Sequence, residues 1–450
     1  MAKIEEPTID VMLFVDKEKR MVLFAEADKD FIDVLFGWLT LSLGTIVRLL
    51  NKHSQMRCLD QVYNSVEDLS ADYFQTKACK GMLLAPLNAA SGHCCQLKIN
   101  IDDTKKVCKR GKDMQYTWDR LENHGNLAPA REDADSGVFV NGCFKFIITD
   151  DLIVAPASTS LMMSLFQRFG VGDPATLEKT TFLCSLRNCI LTNKMMPIKK
   201  LSNVKIRVLQ TRNNSLLYAE VSDDFVDLLF GSLSVPLGSM IKTYCHRSLK
   251  GCVDNLYRSI YGSAKGCVRS ECQSLLLDQK AVPFSGCRTT KILQVEELAP
   301  SKLQIKGCIK CFKTGGFADL GRCLKQTPVY SRNFGRIRYY EYTYCKNSVK
   351  STNIHESNPK LPNGGSENGE AYVKGGSIKF MVTDGLNILP LSMSSTLQEV
   401  RAAQIQPGNL LENEVTLTNF QIMELLRAAL VSRNALSSVL LPPEKRKLEA

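Results

Sequence analysis

Histidine is scarce in this chain, with five residues in 450. Side chains that titrate near neutral pH are therefore few, and acid–base work leans on them most. The sequence also lacks Gly-x-Gly-x-x-Gly, a P-loop, Gly-x-Ser-x-Gly and His-Glu-x-x-His. Their absence removes the common signatures of dinucleotide, nucleotide, acyl-transfer and zinc-protease chemistry. Gly262-Ser263-Ala264-Lys265-Gly266 lacks the Lys-Ser/Thr ending of a phosphate loop. His93 and Cys94 are adjacent, and adjacent side chains rarely face each other as a nucleophile pair must. No catalytic residue is assigned, and the chain reads as non-enzymatic.

Long apolar runs are missing too. Val34 to Val47 holds 14 uncharged residues, short of the roughly 20 that span a bilayer. Gly37 and Gly44 interrupt it, so two helices joined by a turn fit better than a membrane span. Met1-Ala2-Lys3-Ile4-Glu5-Glu6-Pro7 has no basic stretch leading into an apolar one, so no secretory signal is expected. The expected compartment is cytoplasmic, with Lys445-Arg446-Lys447 as a weak nuclear address. The 17 cysteines are then reduced thiols, buried as small hydrophobes or bound to metal.

What the chain does contain is an internal repeat. At an offset of 194, Val22-Leu23-Phe24-Ala25-Glu26 lies over Leu216-Leu217-Tyr218-Ala219-Glu220, and Asp30 to Gly37 lies over Asp224 to Gly231. Leu43-Gly44, Cys58, Asp60 and Tyr63 fall on Leu237-Gly238, Cys252, Asp254 and Tyr257. At an offset of 234, Lys145-Phe146-Ile147-Ile148-Thr149-Asp150 lies over Lys379-Phe380-Met381-Val382-Thr383-Asp384. The chain is thus two copies of one unit, roughly 8–200 and 201–442, read as tandem related domains. The second copy is 40 residues longer in its middle, with an insert over about 287–370.

Each copy predicts an α+β unit: hairpin, helix, helix, then a later hairpin and helix. Val11–Val15 and Met21–Ala25 flank a charged turn. Asp28 and Ser222 are placed to cap a helix in which Phe31, Leu35, Trp38 and Leu39 share a face. Thr40 and Ser234 are expected to precede a second helix, with Pro236 in its first turn. The later hairpins turn at Thr149-Asp150-Asp151 and Thr383-Asp384-Gly385. Helices are expected around 160–169, 182–193 and 419–432. Residues 346–370 and 123–136 read as loops, and 194–203 as the join between copies. Glu26, Asp30 and Asp33 recur as Glu220, Asp224 and Asp227. Asp30 and Asp33 are expected to serve the helix dipole rather than acid–base work.

Val15-Asp16-Lys17, the Val22 to Ala27 strand, Asp30-Phe31-Ile32-Asp33 and Leu41 to Leu50 together resemble the plant family catalogued as domain of unknown function 674. The paired Lys-Phe-x-x-Thr-Asp-x-Leu hairpins at 145–152 and 379–386 extend the resemblance over nearly the whole chain. The resemblance implies a plant source and no activity. It also implies mid-repeat cysteine pairs that look like a zinc site; Cys308 and Cys311 fit that habit, while the first copy has no such pair.

Two constellations occupy the insert. Cys308-Ile309-Lys310-Cys311 is followed by Cys323 and Cys345. A Cys-x-x-Cys turn brings two thiolates to one tetrahedral zinc, and two more would complete it. The bland alternative is four free thiols. Between Lys302 and Lys350, 11 basic residues stand against 2 acidic ones, a net of +9. If 336–344 is a strand, Arg336, Arg338, Tyr340, Tyr342 and Tyr344 share a face. With Arg332 nearby, that is single-strand nucleic-acid chemistry, phosphates on arginine and bases on tyrosine. The same pattern also suits an edge strand whose charges block aggregation. The leading reading is a protein that binds a protein partner; the alternative is RNA or single-stranded DNA on the insert, braced by zinc. A third, an enzyme, would need a pocket between the copies. Residues 1–200 hold 25 basic and 25 acidic side chains, so the formal +11 lies entirely in the second copy.

Overall fold

A computed structural model describes residues 7–102, 137–171, 177–184, 204–244, 252–307, 317–330, 337–361, 369–404 and 410–441, apart from a few one- to three-residue gaps within those ranges. The chain divides into a large unit, 1–298 with 358–450, and a small one, 299–357. The expected loop at 123–136 and the expected join at 194–203 lie outside the described residues.

The large unit holds two five-stranded antiparallel sheets. In the first copy β1 (Ile9–Asp16), β2 (Met21–Ala27), β3 (Phe146–Thr149), β4 (Val154–Pro156) and β5 (Leu177–Cys184) run in the order β4-β3-β2-β1-β5. The second copy repeats this with β6 (Val204–Thr211) and β7 (Leu216–Ser222), then β13 (Lys379–Thr383), β14 (Ile388–Pro390) and β15 (Leu410–Leu417), in the order β14-β13-β7-β6-β15. The period-two pattern decides the faces. Ile9, Val11 and Ile148 join the large core, whereas Phe14, Phe24 and Ile147 pack under the outer helix α6 (Thr159–Phe169).

The helix α1 (Lys29–Thr40) is buried on every side from Phe31 onward, not on one face alone. A helix that is apolar all round belongs inside a core, which accounts for the uncharged run from Val34 to Val47. Thr40 ends α1 instead of preceding the next helix: its Oγ1 donates back to the Gly37 carbonyl at 2.7 Å. Ser234 does the same to Gly231 at 2.8 Å. The second helices are α2 (Leu43–Leu49) and α8 (Leu237–Tyr244). Asp28 and Ser222 stand at the N-cap positions of α1 and of α7 (Asp223–Gly231) without side-chain capping bonds.

The two copies meet about a pseudo-twofold axis. Ser42 and Pro236, equivalent at the 194 offset, form an antiparallel bridge. Leu43 N–H donates to Val235 O at 2.9 Å, and Leu237 N–H to Leu41 O at 2.8 Å. The copies also exchange their third helices. The first copy's α3 (Arg57–Asp68) packs on β14 and on α13 (Asn419–Val431), while the second copy's α9 (Cys252–Tyr261) packs on β4. Ser65 on α3 accepts the β14 N–H of Ile388 at 2.8 Å, and Ser259 on α9 accepts the β4 N–H of Val154 at 2.9 Å. Each sheet thus rests on a helix from the other copy, and the copies share one core.

In the small unit the described residues between Lys302 and His355 are all strand. β9 (Phe317–Asp319), β10 (Arg322–Tyr330) and β11 (Ile337–Ser348) form a sheet in the order β11-β10-β9, and β8 (Lys302–Gly307) pairs with β12 (Lys350–His355). The loop expected from residue 346 is therefore partly strand. Polar Lys350–His355 is held by the ladder to Lys302–Gly307, a long-range partner that local composition does not reveal. Lys360, within the same expected loop, is 1% exposed. The helix expected from Phe182 is also corrected: Thr180-Thr181-Phe182 continue the β5 ladder to β1, and 185–193 lie outside the described residues.

Candidate functional site

Two related clusters of buried titratable groups sit in the shared core. In the first, Asp33 on α1 accepts backbone N–H bonds from Val138 at 2.5 Å on Oδ2, and from Phe139 at 2.8 Å and Val140 at 3.1 Å on Oδ1. In the second, Asp227 on α7 accepts Tyr372 N–H at 2.6 Å and Val373 N–H at 3.0 Å, both on Oδ1. Burial pushes each carboxyl up to about 6, against the pull of these donors. The dipole role expected for Asp33 is thereby corrected. It fastens a distant loop to the helix, whereas Asp30 stays in the first turn and pairs with Lys98 at 3.5 Å.

The thiols of these clusters are poor nucleophiles. Burial pushes Cys94 up to about 12, and raises Cys79 and Cys287 as well. Cys94 lies within 3.4 Å of Thr40 and Asn88, not in a bond with His93. His93 stacks on Phe139 with centroids 6.2 Å apart, and burial lowers its pKa. Lys360 carries no sequence signal, yet it is the most enclosed cation described. Its Nζ donates to Gly286 O at 2.7 Å and Glu370 O at 2.8 Å, and lies 3.7 Å from the centroid of the Tyr372 ring. Burial lowers its pKa, but its protons are committed to carbonyls and it acts as a brace. These groups bind the protein's own backbone.

The small unit carries the residues singled out by sequence. Arg338, Tyr340, Tyr342 and Tyr344 lie on β11, while Arg332 and Arg336 lie outside the described residues. The pairing steps from Val329↔Tyr339 to Tyr330↔Ile337, which leaves Arg338 as an extra residue in a bulge. The strict alternation expected through Arg338 is therefore interrupted there; it runs unbroken from Tyr339 to Tyr344. Cys323 lies on β10 and Cys345 on β11, each one position beyond the Leu324↔Tyr344 pair. Strand pairing thus brings these two of the four expected zinc ligands to one end of the sheet, while Cys308 and Cys311 lie outside the described residues. Among the described residues no group of three or more His, Cys, Asp or Glu side chains is arranged to hold a metal, and no helix is long and apolar enough to cross a membrane.

The model of the family described as Protein of unknown function (DUF674) matches residues 5–109, 105–190, 181–419 and 339–450. No curated protein and no solved structure matches the chain.

Proposed function

The chain belongs to the DUF674 family, whose description assigns no activity, and we propose from its own geometry that it works without catalysis, by binding an acidic, extended segment of a protein partner along the open edge of β11. The observation that carries this reading is the strand order β11-β10-β9, which among the described residues leaves a 12-residue strand at the sheet edge. An edge strand presents a row of N–H and C=O groups that an added strand can pair with.

Pro328 indicates which groups face outward. It pairs with Tyr340 and has no N–H to give. A proline fits the widely spaced, non-hydrogen-bonded position of an antiparallel ladder, and such positions alternate. Tyr340, Tyr342 and Tyr344 would then turn their backbone N–H and C=O groups to the open edge. The net +9 between Lys302 and Lys350 favours an acidic segment and speeds its encounter. The eight described free thiols support the cytoplasm or nucleus, both reducing, as the proposed site of action.

The test titrates the full chain with a labelled peptide alternating glutamate and valine, and separately with a labelled single-stranded RNA of mixed sequence. Saturable peptide binding that survives moderate salt supports the reading. RNA binding without peptide binding would replace it with the nucleic-acid reading.

A further inference from the structure

Strand pairing in the small unit sets two cysteines against each other. β10 pairs with β11 at Leu324↔Tyr344 and again at Arg322↔Ser348. Between those pairs β10 holds Cys323 alone, while β11 holds Cys345, Lys346 and Asn347. Cys323 and Cys345 both lie one position beyond Leu324↔Tyr344 on the same side, so they are neighbours across the ladder. Among the described residues no other two cysteines stand this way. Cys184 pairs with Ile9, and the eight described free thiols of the large unit lie outside the strands.

The backbone and the sequence suit this pair to a reversible disulfide. Residues opposed in an antiparallel ladder stand about 4.5–5.5 Å apart at Cα, within the roughly 4.4–6.8 Å that a disulfide spans. A regular ladder holds both strands stiffly. Here one residue faces three, so the ladder is broken where the bond would form, and the backbone can adjust to the dihedral the bond needs. The chain neighbours are basic: Arg322 precedes Cys323 and Lys346 follows Cys345. Cations next to a thiol favour its thiolate, the form that reacts. Cys345 belongs to the edge strand, whereas Cys323 belongs to the central strand and pairs with Ala318 of β9 on its other side. The edge cysteine is thus placed to meet an oxidant first, and the central one to resolve it.

We infer that Cys323 and Cys345 form a redox pair that hydrogen peroxide closes into a disulfide. The Cys345 thiolate attacks one peroxide oxygen. The O–O bond breaks, a sulfenic acid forms, and hydroxide leaves and takes up a proton as water. The Cys323 thiolate then attacks the Cys345 sulfur. The S–S bond forms, the S–O bond breaks, and a second water departs. The two thiols lose two electrons in all, and one peroxide is reduced to two waters. In a reducing compartment such a bond is transient, as redox-sensing disulfides are, and cellular thiols reopen it by exchange. While closed, it fastens the end of β11 to β10 and holds the strand edge in one arrangement before a partner arrives. That consequence rests on the proposed use of the β11 edge; the disulfide itself does not.

The test treats the reduced full chain with graded hydrogen peroxide, blocks remaining thiols with N-ethylmaleimide, and maps tryptic peptides without reduction. Cleavage after Arg322, Lys325, Arg338 and Lys346 leaves each cysteine as the sole one of its peptide, Cys323–Lys325 and Tyr339–Lys346. The expected result is these two peptides joined, with the mass of two hydrogens lost, and separated again by dithiothreitol. Cys323→Ser should abolish the joined pair and leave Cys345 as a sulfenic acid that dimedone traps. The oxidised chain should bind the glutamate–valine peptide at least about threefold more tightly than the reduced chain, because less freedom is lost on binding. Peptides that stay separate at every peroxide dose would overturn the assignment, as would joining to Cys308 or Cys311 in equal yield. Equal peptide affinity in the two states would overturn the effect on the edge. Peptide binding in neither state would refute the use of the edge and leave the disulfide standing.

Discussion

The pseudo-equivalent carboxylates Asp33 and Asp227 should respond differently to the same substitution. Asp→Asn keeps the shape and removes the charge. In both sites burial raises the carboxyl from 3.8 to about 6, so the folded state holds its proton more tightly than the unfolded chain. Stability from either group is then fullest below about pH 3.8 and falls as pH rises through about 6. At about 1.4 kcal/mol for each factor of ten in proton affinity, an ionised carboxylate costs at most about 3 kcal/mol at neutral pH. Asn escapes that cost. Asp227 uses Oδ1 alone for both N–H bonds, so Asp227→Asn can keep them and should gain stability relative to wild type as pH rises from about 4 to 7. Asp33 also uses Oδ2, which accepts Val138 N–H at 2.5 Å. Asn would face that N–H with its own NH2, leaving a buried donor unpaired for about 1–3 kcal/mol. Urea unfolding of the full chain, followed by circular dichroism between pH 4 and 7.5, measures both. Asp33→Asn should lie below Asp227→Asn by about 1–3 kcal/mol at each pH, with parallel pH trends. Equal stabilities, or Asp227→Asn as the weaker variant, would refute the assignment of the bonds to separate oxygens.

Three further outcomes follow from the same contacts. Ser65→Ala and Ser259→Ala each strip a buried strand N–H of its acceptor across the copy boundary; each should cost about 1–2 kcal/mol in urea unfolding, and by near-equal amounts. Lys360→Met removes the donor from two carbonyls and should lower stability by about 1–3 kcal/mol despite similar volume. A protease site placed within 194–203 and then cut should leave the two fragments co-eluting on gel filtration until denaturant is added, because they share one core. Fragments that separate in native buffer would contradict the exchange of third helices.

The repeat and its hairpin–helix–helix grammar were legible because equivalent residues recur at fixed offsets and the turns carry their own chemistry. The interlocking of the copies was not. Nothing local in Ser65 or Ser259 tells which copy's sheet it will meet, and tandem domains and an exchanged pair share one sequence pattern. Asp33 shows the same limit: an aspartate one turn into a helix fits the dipole, and only the fold brings residues 138–140 to it. Thr40 lies two residues before the real N-cap, Ser42, because threonine can close a helix by bonding backward as readily as cap the next. In the insert, the alternating Arg and Tyr residues only suggested what a strand there would place on one face; that Ile337–Ser348 is a strand, with a bulge at Arg338, depends on its partner strand. Lys360 looked like loop polarity, since burial of a lone lysine leaves no mark on its neighbours in sequence.

The most direct test of the proposed function compares two peptides of identical charge and side chains on the full chain by fluorescence anisotropy. One is the glutamate–valine peptide, and the other is the same peptide N-methylated at every second residue. N-methylation removes the backbone donors that strand addition needs and leaves the electrostatic attraction unchanged. The account predicts saturable binding of the first and loss of binding by the second. Equal binding of both would show that charge alone attracts them and that the β11 edge is not the site.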